Sequence, residues 1–258
     1  MAVAHVRHRA ESLKPSQLSP LEPLGSRTKA DNGVNGGCPF RSMPLNLPPQ
    51  TRRELRAARR RLQPRQHRRH AASVAKQLKH HRFFLRARRI AFYWPTDGEL
   101  DPRPLLRYAN QRGKVCYLPV LRPRNTCWGR GKIWFVRFRP GDRMRPNRFG
   151  IPEPTARGRQ LKLPWNLALV LMPLVGFDTD CHRIGMGGGF YDRSLAYLRE
   201  RRSWRRPRLI GIAHECQRVA RIEPSPWDIP LDAVVTERQV YAKPSAGDRL
   251  VQSRIAPS

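Results

Sequence analysis

The run Leu167-Ala168-Leu169-Val170-Leu171-Met172-Pro173-Leu174-Val175 is apolar without a break. A strand with one wet face alternates apolar and polar residues. A run with no polar position calls for cover on both faces, as in a parallel sheet layered between helices. Arg183-Ile184-Gly185-Met186-Gly187-Gly188-Gly189-Phe190-Tyr191-Asp192-Arg193 follows closely. Its glycines let backbone N–H groups approach an anion, and Phe190, Ser194, Leu195 and Leu198 recur at helical spacing. Strand, glycine loop and helix in that order make a phosphate cradle, although a glycine-rich surface turn has the same composition. No Lys-Ser or Lys-Thr follows the last glycine, so the loop does not match the Walker pattern.

The flanking chain extends the alternation. Residues 89–94 read as a strand ending at Pro95, followed by the turn Thr96-Asp97-Gly98 and then Glu99. A helix over about 101–111 and a strand over 114–121 complete a strand-helix-strand unit with a right-handed crossover. Further strands are predicted at 132–138, 209–214 and 233–237, with a helix from the glycine loop to about 201. The expected fold is α/β: a single three-layer, Rossmann-like domain with a mostly parallel open sheet over residues 49–240 and a fraying tail at 241–258. Trp94 and Glu99 fall at the carboxyl end of the first strand, the edge where such sheets bind ligands. A core aromatic and an ordinary loop carboxylate fit those two positions equally well.

Two N-terminal helices precede the sheet. Thr51 is placed to cap the first, on which Arg52, Arg56 and Arg60 recur every fourth residue and share a face. That face is either solvated or a row of guanidinium forks reaching an anion. Pro64 suits the first turn of the second, whose stripe is Ala71, Val74, Ala75 and Leu78. His67, His70, His80 and His81 have no acidic or cysteine companions at ligand spacing and are predicted on the surface. Residues 1–48 mix Pro, Ser, Gly and Asn without a period or an apolar targeting core, which predicts a disordered extension. The composition break near Pro48 also makes Met43 a candidate start; an intact mass of the native protein that includes residues 1–42 would exclude it.

Charge narrows the partners. With 51 Lys+Arg against 19 Asp+Glu, a formal net charge of +32, the surface attracts polyanions. The cluster from Arg52 to Arg69 could serve RNA, but paired aromatic strand motifs and a GXXG clamp are absent, so nucleic acid is expected only as an incidental partner. No apolar run approaches the roughly 18 residues of a spanning helix, so no membrane is expected. Cysteines are scattered without a CxxC pair, as in a reduced, cytoplasmic chain.

Several separated pieces together resemble the 5-formyltetrahydrofolate cyclo-ligase family, also called 5,10-methenyltetrahydrofolate synthetases. They are Arg52-Arg53-Glu54-Leu55-Arg56, the stretch from Tyr93 to Asp101, Tyr117-Leu118-Pro119, Phe149 to Pro154, Pro173 to Asp178, the run from Arg183 to Arg193, and Trp227 to Asp232 with Val235-Thr236-Glu237. They cover roughly residues 50–240 in order.

The resemblance implies an ATP- and magnesium-dependent ligase acting on 5-formyltetrahydrofolate, generally monomeric, with catalytic charge supplied by Arg183 and Arg56. By the same resemblance Arg52, with Arg53 as an alternative for the family's usual lysine, and Arg56 hold ATP phosphates. Arg183, Ile184, Gly185, Met186, Gly187, Gly188, Gly189, Phe190 and Tyr191 form the nucleotide cradle. Met186 to Phe190 also line the folate side with Trp94 and Glu99, and Asp192 and Asp228 match the magnesium ligands. Some relatives carry a basic residue at the place of Met186 or Gly188, where this chain is neutral. The competing reading is a basic nucleotide- or RNA-binding protein on the same fold without catalysis.

Overall fold

A computed structural model describes residues 49–121, 132–155, 161–200 and 207–242. The predicted extension over 1–48 and the end of the predicted tail lie outside the described residues. Helix α1 (Pro49–Arg60) is followed by α2 (Pro64–His80) and the short α3 (Arg82–Arg86). The chain then runs through β1 (Arg89–Ala91), α4 (Arg103–Gln111), β2 (Val115–Leu121), β3 (Ile133–Arg137), the small hairpin β4 (Met144–Pro146) and β5 (Pro152–Pro154), and β6 (Leu161–Lys162). The second half comprises β7 (Leu169–Pro173), a second small hairpin β8 (Gly176–Phe177) and β9 (Arg183–Ile184), α5 (Phe190–Leu195), α6 (Tyr197–Glu200), β10 (Arg208–Ile212), β11 (Ala233–Val235) and β12 (Val240–Ala242).

Among the described residues, eight strands form one sheet in the order β12-β11-β10-β7-β1-β2-β3-β6. The strands β11, β10, β7, β1 and β2 pair in parallel, while β12 at one edge and β3 and β6 at the other pair antiparallel. The unbroken apolar run explains the centre. Leu169 and Leu171 join the core on one face with Val74, Leu78, Leu105 and Ala109 of α2 and α4. Val170 and Met172 join the core on the other with Leu195 of α5 and Phe135. Both faces are covered, which gives the expected three-layer, mostly parallel α/β sheet.

Several local expectations are corrected. Helix α1 begins at Pro49, ahead of Thr51, so Thr51 does not cap it. The helix after the glycine loop is divided into α5 and α6 at Ala196, whose own backbone stays helical with φ −51° and ψ −35°. His70 is buried against the ring of His214, since α2 lays its inner stripe directly on the sheet. The turn that docks α1 is tight as well. A Cβ added to Gly176 would lie 2.7 Å from Leu55 Cδ1 and 2.9 Å from Ile184 Cδ1. Gly176→Ala is therefore expected to destabilise the fold by about 1–3 kcal/mol through overpacking alone. Urea denaturation of the two proteins checks it.

Candidate functional site

The loops that follow β1, β7 and β10 leave the carboxyl edge of the parallel strands, and α1 lies across them. Its arginines divide the work. Arg59 is fully buried: Nε donates to the Asp97 carbonyl at 2.8 Å, Nη1 to the Leu174 carbonyl at 2.9 Å and Nη2 to Asp97 Oδ2 at 3.0 Å. One guanidinium thus ties the loop after β1 to the loop after β7. Arg56 Nε donates to Asp97 Oδ2 at 2.7 Å, and Arg60 Nε lies 3.2 Å from Oδ1. Burial works against an ionised Asp97, but the hydrogen bonds from Arg56 and Arg59 hold its carboxyl below the usual range. Asp97 has φ 52° and Gly98 φ 74°, a left-handed pair that lets the turn close against the α1 backbone.

Arg52 reaches the glycine loop itself, its Nε donating to the Gly185 carbonyl at 3.1 Å. Its Nη2 is buried without a hydrogen-bond partner among the described residues. A buried guanidinium N–H left unmatched beside a glycine loop fits an anionic oxygen. The loop leaves its backbone accessible: Met186, Gly187 and Gly188 are exposed, and Gly187 and Gly189 have φ 99° and 57°. Arg193 folds back over the loop, Nη2 donating to the Gly188 carbonyl at 2.5 Å with the guanidinium 5.3 Å from the Phe190 ring centre.

Arg183 is more enclosed, its side chain 7% exposed and ion-paired with Asp192, with Nη1 donating to the Ile229 carbonyl. Asp228 Oδ2 accepts the Ser225 N–H at 2.8 Å. Burial pushes the Asp228 carboxyl up, the Ser225 N–H pulls it back, and the Asp192 charge raises it further. Two carboxylates within mutual repulsion, each with an oxygen outside these bonds, form a donor set suited to a hard, hydrated dication such as Mg2+.

On the other side of the loop, Glu99 Oε2 accepts the Thr96 N–H at 3.0 Å, and Oε1 lies 3.8 Å from Arg59 Nη2. Burial raises the Glu99 carboxyl, with Arg59 and the Thr96 N–H opposing. Its charge in turn raises the buried Tyr191 hydroxyl, after burial itself, which brings α5 and the turn into one electrostatic neighbourhood. Trp94 is half-buried edge-on to Phe138, with Arg103 5.3 Å from its ring centre. Phe149, exposed at the tip of the β4–β5 hairpin, meets Phe190 edge-to-face at 6.3 Å. With exposed Met186 these rings offer an apolar wall for a planar ligand.

The sequence profile of the 5-formyltetrahydrofolate cyclo-ligase family matches residues 47–237. The chain belongs to that family. It is 35% identical over 189 residues to the 5-formyltetrahydrofolate cyclo-ligase of Escherichia coli strain K12, covering 72% of this chain and 98% of the relative. To the Haemophilus influenzae cyclo-ligase it is 38% identical over 148 residues, 56% of this chain and 73% of the relative. The solved Aquifex aeolicus 5,10-methenyltetrahydrofolate synthetase superposes with a TM-score of 0.63 at 28% identity, covering 76% of this chain and 93% of that one. The Mycoplasma pneumoniae synthetase, at 20% identity and a TM-score of 0.54, shares the fold.

As a cyclo-ligase family member, the chain brings together most of the residues singled out from its sequence. Arg52 meets the loop at Gly185, Arg56 meets the turn at Asp97, Arg183 pairs with Asp192, the Asp192 charge acts on Asp228 and that of Glu99 on Tyr191, whereas Trp94 packs on Phe138 and Arg103. Arg53 stands apart: it is exposed on α1, and it is Arg52 that contacts the glycine loop. Sequence reasoning missed Arg59, Asp97 and Arg193. The first two were legible only as a helix arginine and a turn residue. Arg193 sits four residues beyond Gly189, one helical turn, which is the spacing that brings it back over the loop.

Proposed function

We propose that this cyclo-ligase family member converts 5-formyltetrahydrofolate to 5,10-methenyltetrahydrofolate at the expense of ATP, releasing ADP and phosphate, as a cytoplasmic monomer built on residues 49–240. The observation that carries this reading is the buried, unmatched Nη2 of Arg52 on a guanidinium already bonded to the glycine loop. It supports an anion held jointly by a helix and a loop 133 residues apart.

In this reading the formyl oxygen attacks the γ-phosphorus. The bond from that phosphorus to the bridging oxygen of ADP breaks, leaving an N5-iminium phosphate. N10 then attacks the formyl carbon, the carbon–oxygen bond breaks with loss of phosphate, and the N10 proton passes to water. The protein supplies no nucleophile, so its contribution is position and charge. Arg52 and the loop amides bind phosphate oxygens, Arg56 exchanges Asp97 for the triphosphate, and Arg193 adds charge where Met186 and Gly188 are neutral. Arg183 holds Asp192 and the loop around Ile229 in place. Asp192 and Asp228 would hold Mg2+, which when bound offsets phosphate charge. Glu99 accepts N–H groups of the pterin, and Trp94, Phe149 and Phe190 wall it.

The assay is direct, because methenyltetrahydrofolate absorbs in the near ultraviolet. Purified protein with 5-formyltetrahydrofolate and Mg-ATP is expected to give an ATP-dependent rise; a flat trace, with nucleotide still bound, would favour the non-catalytic nucleotide-binding reading. Glu99 adds a pH test. Its raised carboxyl is protonated further up the pH scale than usual, so the KM for the folate should fall as pH rises through that ionisation. In Glu99→Gln this limb should vanish and KM should be about tenfold higher, the loss of one hydrogen bond to a charged group.

A further inference from the structure

Behind the turn that carries Asp97 and Glu99, three side chains from three elements meet away from the glycine loop. His70 of α2 and His214, just after β10, place their Nδ1 atoms 2.9 Å apart. Glu237, just after β11, places Oε1 3.6 Å from His70 Nδ1. The three ligand atoms lie within 4.8 Å of one another. Both imidazoles are buried.

The surroundings hold these atoms in place. Glu237 Oε2 accepts the Glu215 N–H at 3.0 Å, which turns Oε1 toward the histidines. The His214 N–H donates to Gln217 Oε1 at 2.9 Å. From α2, Ser73 and Gln77 donate to the carbonyls of Glu237 and Thr236 at 2.8 and 2.7 Å. His214 Nε2 is buried without a well-formed hydrogen bond among the described residues, although the Gly98 backbone favours a proton on the ring. His70 and Glu237 line an open cavity of about 720 Å3, to which Glu215, Cys216, Arg69, Arg218 and Arg238 also contribute.

We propose that His70, His214 and Glu237 form a binding site for one divalent transition-metal ion of the zinc class, held by the two Nδ1 atoms and a Glu237 oxygen and completed by water from the cavity. Two nitrogens on one tetrahedral zinc lie roughly 3.3 Å apart, given bonds of about 2.0–2.1 Å, so to admit the ion the pair must spread by a few tenths of an ångström and both rings must turn from facing each other toward a common point. A hydrogen bond between the two Nδ1 atoms uses a single proton, whereas an ion engages both lone pairs. Such an ion takes neutral imidazole nitrogens and a carboxylate oxygen as ligands, and both rings are buried beside Glu237. The ligand set selects the metal, because two imidazoles and one carboxylate make up the cluster, while the nearby charges of Arg69 and Arg238 oppose that of Glu237 at His70. A hard ion that demands an all-oxygen shell gains too little here, while imidazole affinity favours zinc, nickel or copper.

The full-length protein, stripped with chelator and kept in excess Mg2+ to saturate the carboxylate site, is titrated with Co2+. One equivalent should develop the visible absorption of four-coordinate cobalt, be displaced by one equivalent of Zn2+ and raise the melting temperature. Glu237→Gln and His70→Gln, each checked for native circular dichroism, should lose the band and bind Co2+ at least tenfold more weakly. If His70→Gln does not fold, Glu237→Gln decides alone. Absence of stoichiometric cobalt binding in the wild type, or an unchanged band in Glu237→Gln, overturns the site.

Discussion

Replacing Arg59 with leucine is expected to destabilise the folded chain by about 3–5 kcal/mol, the range for removing one partner from a buried charged network. The guanidinium is fully buried, and its loss leaves the Asp97 carbonyl and part of its carboxylate without donors, while Gln217 Nε2 still serves the Leu174 carbonyl at 2.6 Å. Thermal and urea denaturation of wild type and variant measure the loss. The pH dependence gives an independent check. Because the folded-state carboxyl of Asp97 is depressed, its contribution is present above the unfolded pKa and is lost as pH falls through the folded value. Without Arg59 part of that acid-side loss should disappear, and Asp97→Asn should cost less in the Arg59→Leu background than in wild type. Equal costs in the two backgrounds would show that the residues act separately.

Asp228→Asn is expected to lower kcat/KM for Mg-ATP by about 10²–10³-fold, the size of effect seen when one preorganised electrostatic contact to the reacting charge is lost. The amide oxygen can still accept the Ser225 N–H, so the loop should keep its conformation and the melting temperature should hold. Partial recovery at high Mg2+ is the signature of a lost ligand. Asp192→Asn should act similarly but also loosen Arg183, so it should lose some stability as well. Activity of Asp192→Asn equal to wild type at limiting Mg2+ would remove Asp192 from the metal site.

Much of the fold was legible because it rests on local pattern. The apolar run announced a strand with two dry faces, and its alternate residues do enter the two cores. Helix boundaries were less legible: Pro49 opens α1 two residues before Thr51, and the helix after the glycine loop is interrupted. His70 was misjudged for a related reason. Spacing along one helix says nothing about His214 and Glu237, which reach His70 from 144 and 167 residues away.

The sequence by itself determined the layer order, the glycine loop and the residue types that gather around it, since each follows from periodicity or from what backbone and charge permit locally. Only the tertiary structure decided how the arginines of α1 are apportioned. Arg52 meets the glycine loop, Arg56 and Arg60 hold Asp97, and Arg59 is sealed between two loops. The five guanidiniums on this one short helix are chemically equivalent in sequence. They become different once the packing angle of the helix chooses which of them loses water and which acceptors lie within reach.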